Sequence, residues 1–254
     1  MQKLTFHFQN GQRIIQQIGL IDEFKGKWSQ QMQNLSAEHL KHIQITASND
    51  NAVASMQLEN VVNAAPERLN AYQNALHIVL NPTTLFTHQM IEYLYVELEP
   101  QNTNIDFKKY RNVVPKLVLT IEEHLISFRA TPTQDILGQL RQQIQKTTVL
   151  LERKSIHPLI AMADFMYEWA ALAPFETRNL QLSRLIAMQL LKYSNYNFID
   201  YLSLETILLA RKAAYQASLA KALHSRNQVK EDISDWIIFL LDCILGSINH
   251  LEQQ

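Results

Sequence analysis

A chain of 254 residues can hold one large domain or two small ones, and its 47% hydrophobic and 19% charged residues suit a soluble globular protein with a sizeable core. A formal net charge of −1 argues against both a basic nucleic-acid surface and a basic membrane anchor. The single cysteine, Cys243, cannot form an internal disulfide, and the scarcity of glycine (5) points to helices joined by few tight turns.

The first residues, Met1 to Phe8, lack the apolar core of a signal peptide, and no stretch is expected to reach the length of a membrane span. A reducing cytoplasm is the expected location. Leu4, Phe6 and Phe8 alternate with polar residues and suit a short strand. Residues 12–27 read as a helix with Ile14, Ile15, Ile18, Ile21 and Phe24 on one side, ending near Gly26 and Trp28. Ser36 is placed to cap a second helix, whose apolar face carries Leu40, Ile43 and Ile45. His39 and His42 lie three apart on it but have no third ligand nearby, so they read as surface histidines. Residues 46–65 form a further packed element through Val53, Met56 and Leu58, with Glu59 the only acid in its middle. Pro66 opens the next helix, and another runs from Thr87 to Leu98.

From Glu99 to Pro132 the pattern changes. Pro100, Asn102 and Asn104 mark a loop. Leu117-Val118-Leu119-Thr120-Ile121 and Leu125-Ile126-Ser127-Phe128 flank the polar Glu122-Glu123-His124, which predicts a β-hairpin that must rest on helices. Its free edge could accept an extended segment of another chain, or the hairpin could merely cap the core. Thr131, Pro132 and Gln134 have the spacing of a capping box ahead of a helix through Ile136, Leu140 and Ile144. Two apolar helices follow, at Pro158–Leu172 and Leu180–Tyr193. A helix from Leu204 to Leu223 and a last one after Asp232 complete a mainly α chain.

Conventional catalytic motifs are absent: there is no CxxC, HExxH, P-loop or glycine-rich phosphate loop. Cys243 lies in a core-like run with no base near it in sequence. Attention therefore falls on the junction of the two central helices, Ala173-Pro174-Phe175-Glu176-Thr177-Arg178-Asn179-Leu180-Gln181-Leu182-Ser183-Arg184. Pro174 ends the first helix, and the polar run opens the second. A helix N-terminus offers unpaired N–H groups and a positive dipole end, so the junction is either an anion site or an ordinary tight corner.

That junction resembles a decayed form of the Fic (Fido) signature, H-P-F-x-[D/E]-G-N-G-R-x-x-R. Other matches keep the family's order along the chain. Ser55-Met56-Gln57-Leu58-Glu59-Asn60 is similar to the inhibitory-helix pattern [S/T]-x-x-x-E-[G/N]. Asn70 to Leu76 resembles the N-Y-x-x-A-L stretch, Tyr110-Arg111 the approach to the flap hairpin, His157-Pro158 the start of the helix before the motif, and Asp235-Trp236 the family's ending. The resemblance implies a mainly α Fic/Fido-type helical bundle with a short β-hairpin, the flap. It divides the chain into an N-terminal extension at 1–45, a Fic/Fido-like domain with its inhibitory helix at 46–245 and a tail at 246–254.

In active members of that family the motif histidine is the general base for AMP transfer from ATP to a protein hydroxyl. Here it is Ala173, so no catalytic residue carries over. The Mg²⁺-binding acid is Thr177, with Glu176 beside it; the two motif glycines are Arg178 and Leu180, and the first arginine is Gln181. Glu176, Thr177, Asn179 and Arg184 stand as remnants of the nucleotide site. Ser55, Glu59 and Asn60 stand as the inhibitory helix, and Leu117, Val118, Leu119 and Ile126 as the flap. The resemblance further implies that Glu59 pairs with Arg184, the second motif arginine.

Three readings follow. One is an inactive Fic-fold protein acting through binding or regulation. The second is a non-standard Fido transferase moving AMP or another phosphate-containing group to a protein, with Glu176, His157 or His124 as replacement base. The third is a helical interaction module that has lost even nucleotide binding. No metal and no cofactor are expected, with ATP and Mg²⁺ bound only if the nucleotide site survives. The expected partner is an unidentified protein docking on the flap hairpin, with a homodimer as a further expectation, and neither nucleic acid nor membrane.

Overall fold

Ten α-helices, one short 3₁₀ helix (Asn197–Tyr201) and one antiparallel hairpin account for the regular structure of the described residues in this computed structural model. The structure describes residues 8–99, 110–114, 116–121, 124–132, 134–226 and 231–253. Of the expected N-terminal strand only Phe8 is among them, and it is helical. The loop around Pro100, Asn102 and Asn104 and the Glu122-Glu123 turn lie outside the described residues. The chain divides into two compact units, one of residues 1–51, 118–128 and 197–254 and the other of residues 52–117 and 129–196.

In the first unit, α1 (Phe8–Asn34) is longer than its sequence pattern suggests. It buries Ile14, Ile21, Phe24 and Trp28 along one stripe. Gly26 does not end it, because Trp28 packs against Phe24 and Tyr201, with ring centroids 5.7 and 5.2 Å away. Helix α2 (Ala37–Leu58) unites what read as two elements. The Ser36 hydroxyl accepts the His39 N–H at 3.1 Å, as a cap should. Ile43 is buried, but Ile45 is 51% exposed and leaves the predicted apolar face. The Asn51 side chain donates to the Leu202 carbonyl and accepts the Glu205 N–H, at 2.7 and 2.9 Å, which fixes the start of α8 (Leu204–Ala210). The single helix expected from Leu204 to Leu223 is in fact α8 and α9 (Lys212–Ser225). Between them Arg211 leaves helical angles and sets its guanidinium 5.1 Å from the Phe239 ring centre.

Helix α10 (Ser234–Leu251) packs against α1, α8 and α9. Contrary to the sequence expectation, it is long and apolar enough to cross a membrane, yet 67% of it is buried inside the protein. That burial is the mark of a core helix. Cys243 lies on it at full burial, which pushes the thiol pKa up to about 12.

The second unit centres on α6 (Pro158–Leu172), which is apolar almost all round and packs between α5 (Ile136–Glu152) and α7 (Asn179–Tyr193). Helices α3 (Pro66–Leu80) and α4 (His88–Glu97) lie against α7. Proline at the first position of α3 and α6 gives up an N–H that has no helical partner there. The capping box at Thr131 does not form. Asp135 caps α5 instead, its carboxylate accepting the Gly138 N–H at 2.8 Å. Thr131 serves the far end of α6, where its N–H and its hydroxyl both donate to the Ala171 carbonyl. The carboxylate outcompetes Thr131 because it sits at the actual helix start.

The hairpin pairs β1 (Lys116–Ile121) with β2 (His124–Arg129) in a two-stranded sheet, close to the predicted span. Of the four flap residues, Leu119 is buried and Leu117 half-buried. Val118 and Ile126 lie in the strands, and their side chains fall outside the described residues.

Two outcomes check these assignments. Asp135→Ala should lower stability by about 1 kcal/mol in chemical denaturation, the cost of a lost N-cap. At pH 8 a thiol reagent should leave Cys243 unmodified in the native protein and label it fully in denaturant.

Candidate functional site

The corner between α6 and α7 is held from several sides. At its start the α6 carbonyls find local donors. The Ala173 N–H donates to the Trp169 carbonyl at 2.7 Å, with Ala173 itself in the left-handed region at φ 43°. Buried Arg111 donates from its guanidinium to the carbonyls of Leu172 and Thr131, at 3.1 and 2.6 Å. The Arg111 backbone N–H adds a bond to the Pro174 carbonyl at 3.0 Å. A cation at a helix C-terminus also meets the negative end of the dipole. Burial pulls the Arg111 pKa below its ordinary value.

Phe175 is the apolar anchor. Its ring stacks on Tyr95 and Tyr110, with centroids 4.1 and 5.5 Å away, and meets Trp169 at 6.3 Å. The Tyr110 hydroxyl donates to the Glu92 carboxylate, and burial holds that phenol above its usual pKa. Asn179 does not cap α7. It is instead the first helical residue, and its side chain closes back on Phe175, accepting from the N–H at 3.1 Å and donating to the carbonyl at 2.8 Å. The Asn179 carbonyl takes the indole N–H of Trp169 at 2.7 Å.

The cap of α7 is Arg178, at φ 61° and ψ 10°. This is a conformation that suits glycine, and a side chain there carries a cost of about 1–2 kcal/mol. Its guanidinium turns inward, with a side chain only 9% exposed, and its Nε donates to Glu99 Oε1 at 2.7 Å. Its Nη1 donates to the Gln181 side-chain amide oxygen, Oε1, at 3.3 Å. Leu180 is half-buried, whereas Glu176 and Thr177 are exposed on the turn. Ala173 is buried and presents only a methyl group.

The end of α2 meets the same cluster. Asn60, at φ 61°, terminates that helix: its N–H bonds the Gln57 carbonyl, and the Val61 N–H bonds the Met56 carbonyl at 2.9 Å. This is the 6→1 and 5→2 pattern of a Schellman stop, with asparagine in the left-handed position. The stop leaves Ser55 and Glu59 facing α7. The Ser55 hydroxyl accepts from Gln181 Nε2 at 3.1 Å and from Arg184 Nη2 at 3.3 Å. Arg184 Nη2 also pairs with Glu59 Oε1 at 3.2 Å, so the contact expected from sequence is present.

Glu99, Arg178, Gln181, Ser55, Arg184 and Glu59 thus form one continuous chain of polar contacts. It holds two guanidinium groups and two carboxylates, and its formal charge closes to zero. Glu99 was not singled out from sequence, and Gln181 and Arg111 entered only as positions in family patterns, with no contact assigned to either. Glu99 and Arg178 lie 79 residues apart, and no local periodicity links them. Among the described residues no three His, Cys, Asp or Glu side chains group as metal ligands, and His39 and His42 are exposed.

No family model matches the sequence, and neither does any curated protein. Solved structures do match. A Fic family protein from Desulfovibrio desulfuricans G20 is similar at TM-score 0.75 and 18% identity, covering 98% of this chain and 76% of that one. A Fic domain containing signaling protein from Bacteroides thetaiotaomicron VPI-5482 is similar at TM-score 0.74 and 17% identity, covering 91% of this chain and 95% of that one. The chain therefore has the Fic fold, a helical architecture with a small hairpin.

Removing Glu59 leaves a buried cation without its carboxylate. Glu59→Ala should therefore cost about 2–3 kcal/mol, less than a fully buried pair because the Glu59 side chain is 21% exposed. Replacing both partners together, as Glu59→Leu with Arg184→Met, should cost less than Glu59→Ala alone in urea unfolding.

Proposed function

We propose that this Fic-fold protein works by binding a protein partner and does not transfer AMP by the usual Fic route. The observation that carries this reading is the corner itself. Where the family places a general base, Ala173 offers a methyl group; where it places glycines, Arg178 and Leu180 carry side chains. The Arg178 guanidinium lies inside the corner on Glu99. Loss of a general base alone costs about 10²–10⁴ in rate. The metal-acid position, Thr177, is a hydroxyl on the exposed turn. These residues do not fit a magnesium nucleotide held in the usual Fic manner, so no cofactor enters the proposed activity.

Glu59 is read as a surviving inhibitory-type contact whose remaining role is to hold α2 to α7. The hairpin is the proposed docking element. It is a two-stranded sheet, and a short sheet with open edges can pair with an extended segment of a partner. A cytoplasmic protein is the proposed setting for both, in keeping with a lone buried cysteine.

The test is incubation of the purified protein with ATP labelled on the α-phosphate, Mg²⁺ or Mn²⁺, and a cell lysate. The expected result is no label on any protein above a control lacking this chain, together with no heat of ATP–Mg²⁺ binding in calorimetry. Label that depends on this chain and is lost in Glu176→Gln overturns the proposal in favour of a non-standard transferase.

A further inference from the structure

Gln181 occupies a place that neither ion pair explains. It is fully buried, one turn into α7, with its two amide ends committed in opposite directions. The oxygen accepts from Arg178, and the nitrogen donates to Ser55, which also accepts from Arg184. An amide has distinct donor and acceptor ends, so it cannot satisfy both neighbours if either one reverses. Buried polar groups left unpaired are costly, so the orientation of Gln181 is set by both ion pairs at once.

From this we propose that Gln181 couples Glu99–Arg178 to Glu59–Arg184, making them a single latch with two ends. Drawing Glu99 off Arg178 frees the guanidinium to turn away and leaves the Gln181 oxygen without its donor. The amide then shifts, Ser55 loses one of its two donors, and the Arg184–Glu59 contact loosens. The two ends of the latch lie on different elements. Glu99 follows the C-cap of α4, and Glu59 sits at the terminus of α2. A disturbance at the end of α4 is thereby felt at the end of α2. By linkage the coupling runs equally in the other direction.

Amide hydrogen exchange reads both ends. The N–H groups of Glu59, Asn60 and Val61 are bonded to Ser55, Gln57 and Met56, and the Leu182 N–H to Arg178, so each reports local opening. In Glu99→Gln, exchange should rise about fivefold at Glu59–Val61 as well as at Leu182, in line with the coupling usual for residues in one network. Glu59→Gln should raise exchange at Leu182 by a similar factor. In Gln181→Met, which keeps length but removes the amide, each substitution should act only at its own end. Should Glu99→Gln fail to fold, Glu99→Asp, which withdraws the carboxylate by one methylene, gives the same readout. The proposal is overturned if Glu99→Gln leaves Glu59–Val61 at wild-type rates. It is equally overturned if Gln181→Met leaves the transmission intact, or if all variants accelerate the α6 amides as much as these sites, which marks global destabilisation instead.

Discussion

A guanidinium cannot be taken out of water without a carboxylate or a set of carbonyls to receive it. Arg184, with its side chain 1% exposed on α7, is such a group, and the arrangement of the second unit follows from it. Glu59 must stand opposite, so α2 must end there. Asn60 supplies that ending because asparagine tolerates the left-handed angle that a Schellman stop requires. The pattern of serine, three residues, glutamate and asparagine is therefore a sentence about geometry before it is one about regulation. Ser55 and Glu59 are one turn apart on the face that meets α7, and Asn60 stops the helix before the chain leaves that face.

The α6–α7 corner shows a different solution to an old problem. A helix N-terminus that approaches phosphates is best served by glycine, which leaves backbone N–H groups open and accepts positive φ. Arg178 holds a positive φ without being glycine, and its side chain lies in the corner on Glu99. The charge that a bound anion could balance is balanced by Glu99. The neutral amide of Gln181 fits the same balance. A second arginine beside Arg178 would leave three guanidinium groups against two carboxylates, whereas a neutral amide keeps the cluster closed and links its halves.

Helix positions were legible in the sequence wherever an apolar stripe met a proline or a capping side chain, as at Pro66, Pro158 and Ser36. They were misread where tertiary packing overruled a local signal. Gly26 looked like a terminus because glycine is a weak helix former, but the aromatic contacts of Trp28 carry α1 past it. Thr131 looked like a cap because its spacing was right, but its hydroxyl is used on the last turn of α6. The Glu59–Arg184 contact was legible because both residues lie in recognisable patterns. Glu99 was not, because it falls beside an irregular stretch and its partner Arg178 lies 79 residues away.

The corner does not depend on chemistry for its shape. Phe175 is held by Tyr95, Tyr110 and Trp169, Asn179 ties the turn to itself, and Arg111 with Thr131 receives the ends of α6. None of these contacts is made by the side chains of Ala173, Thr177, Arg178 or Leu180. What the corner requires is charge balance around Arg184 and Arg178, because buried cations are costly whether or not a ligand is ever bound. The polar chain from Glu99 to Glu59 meets that requirement with the protein's own carboxylates.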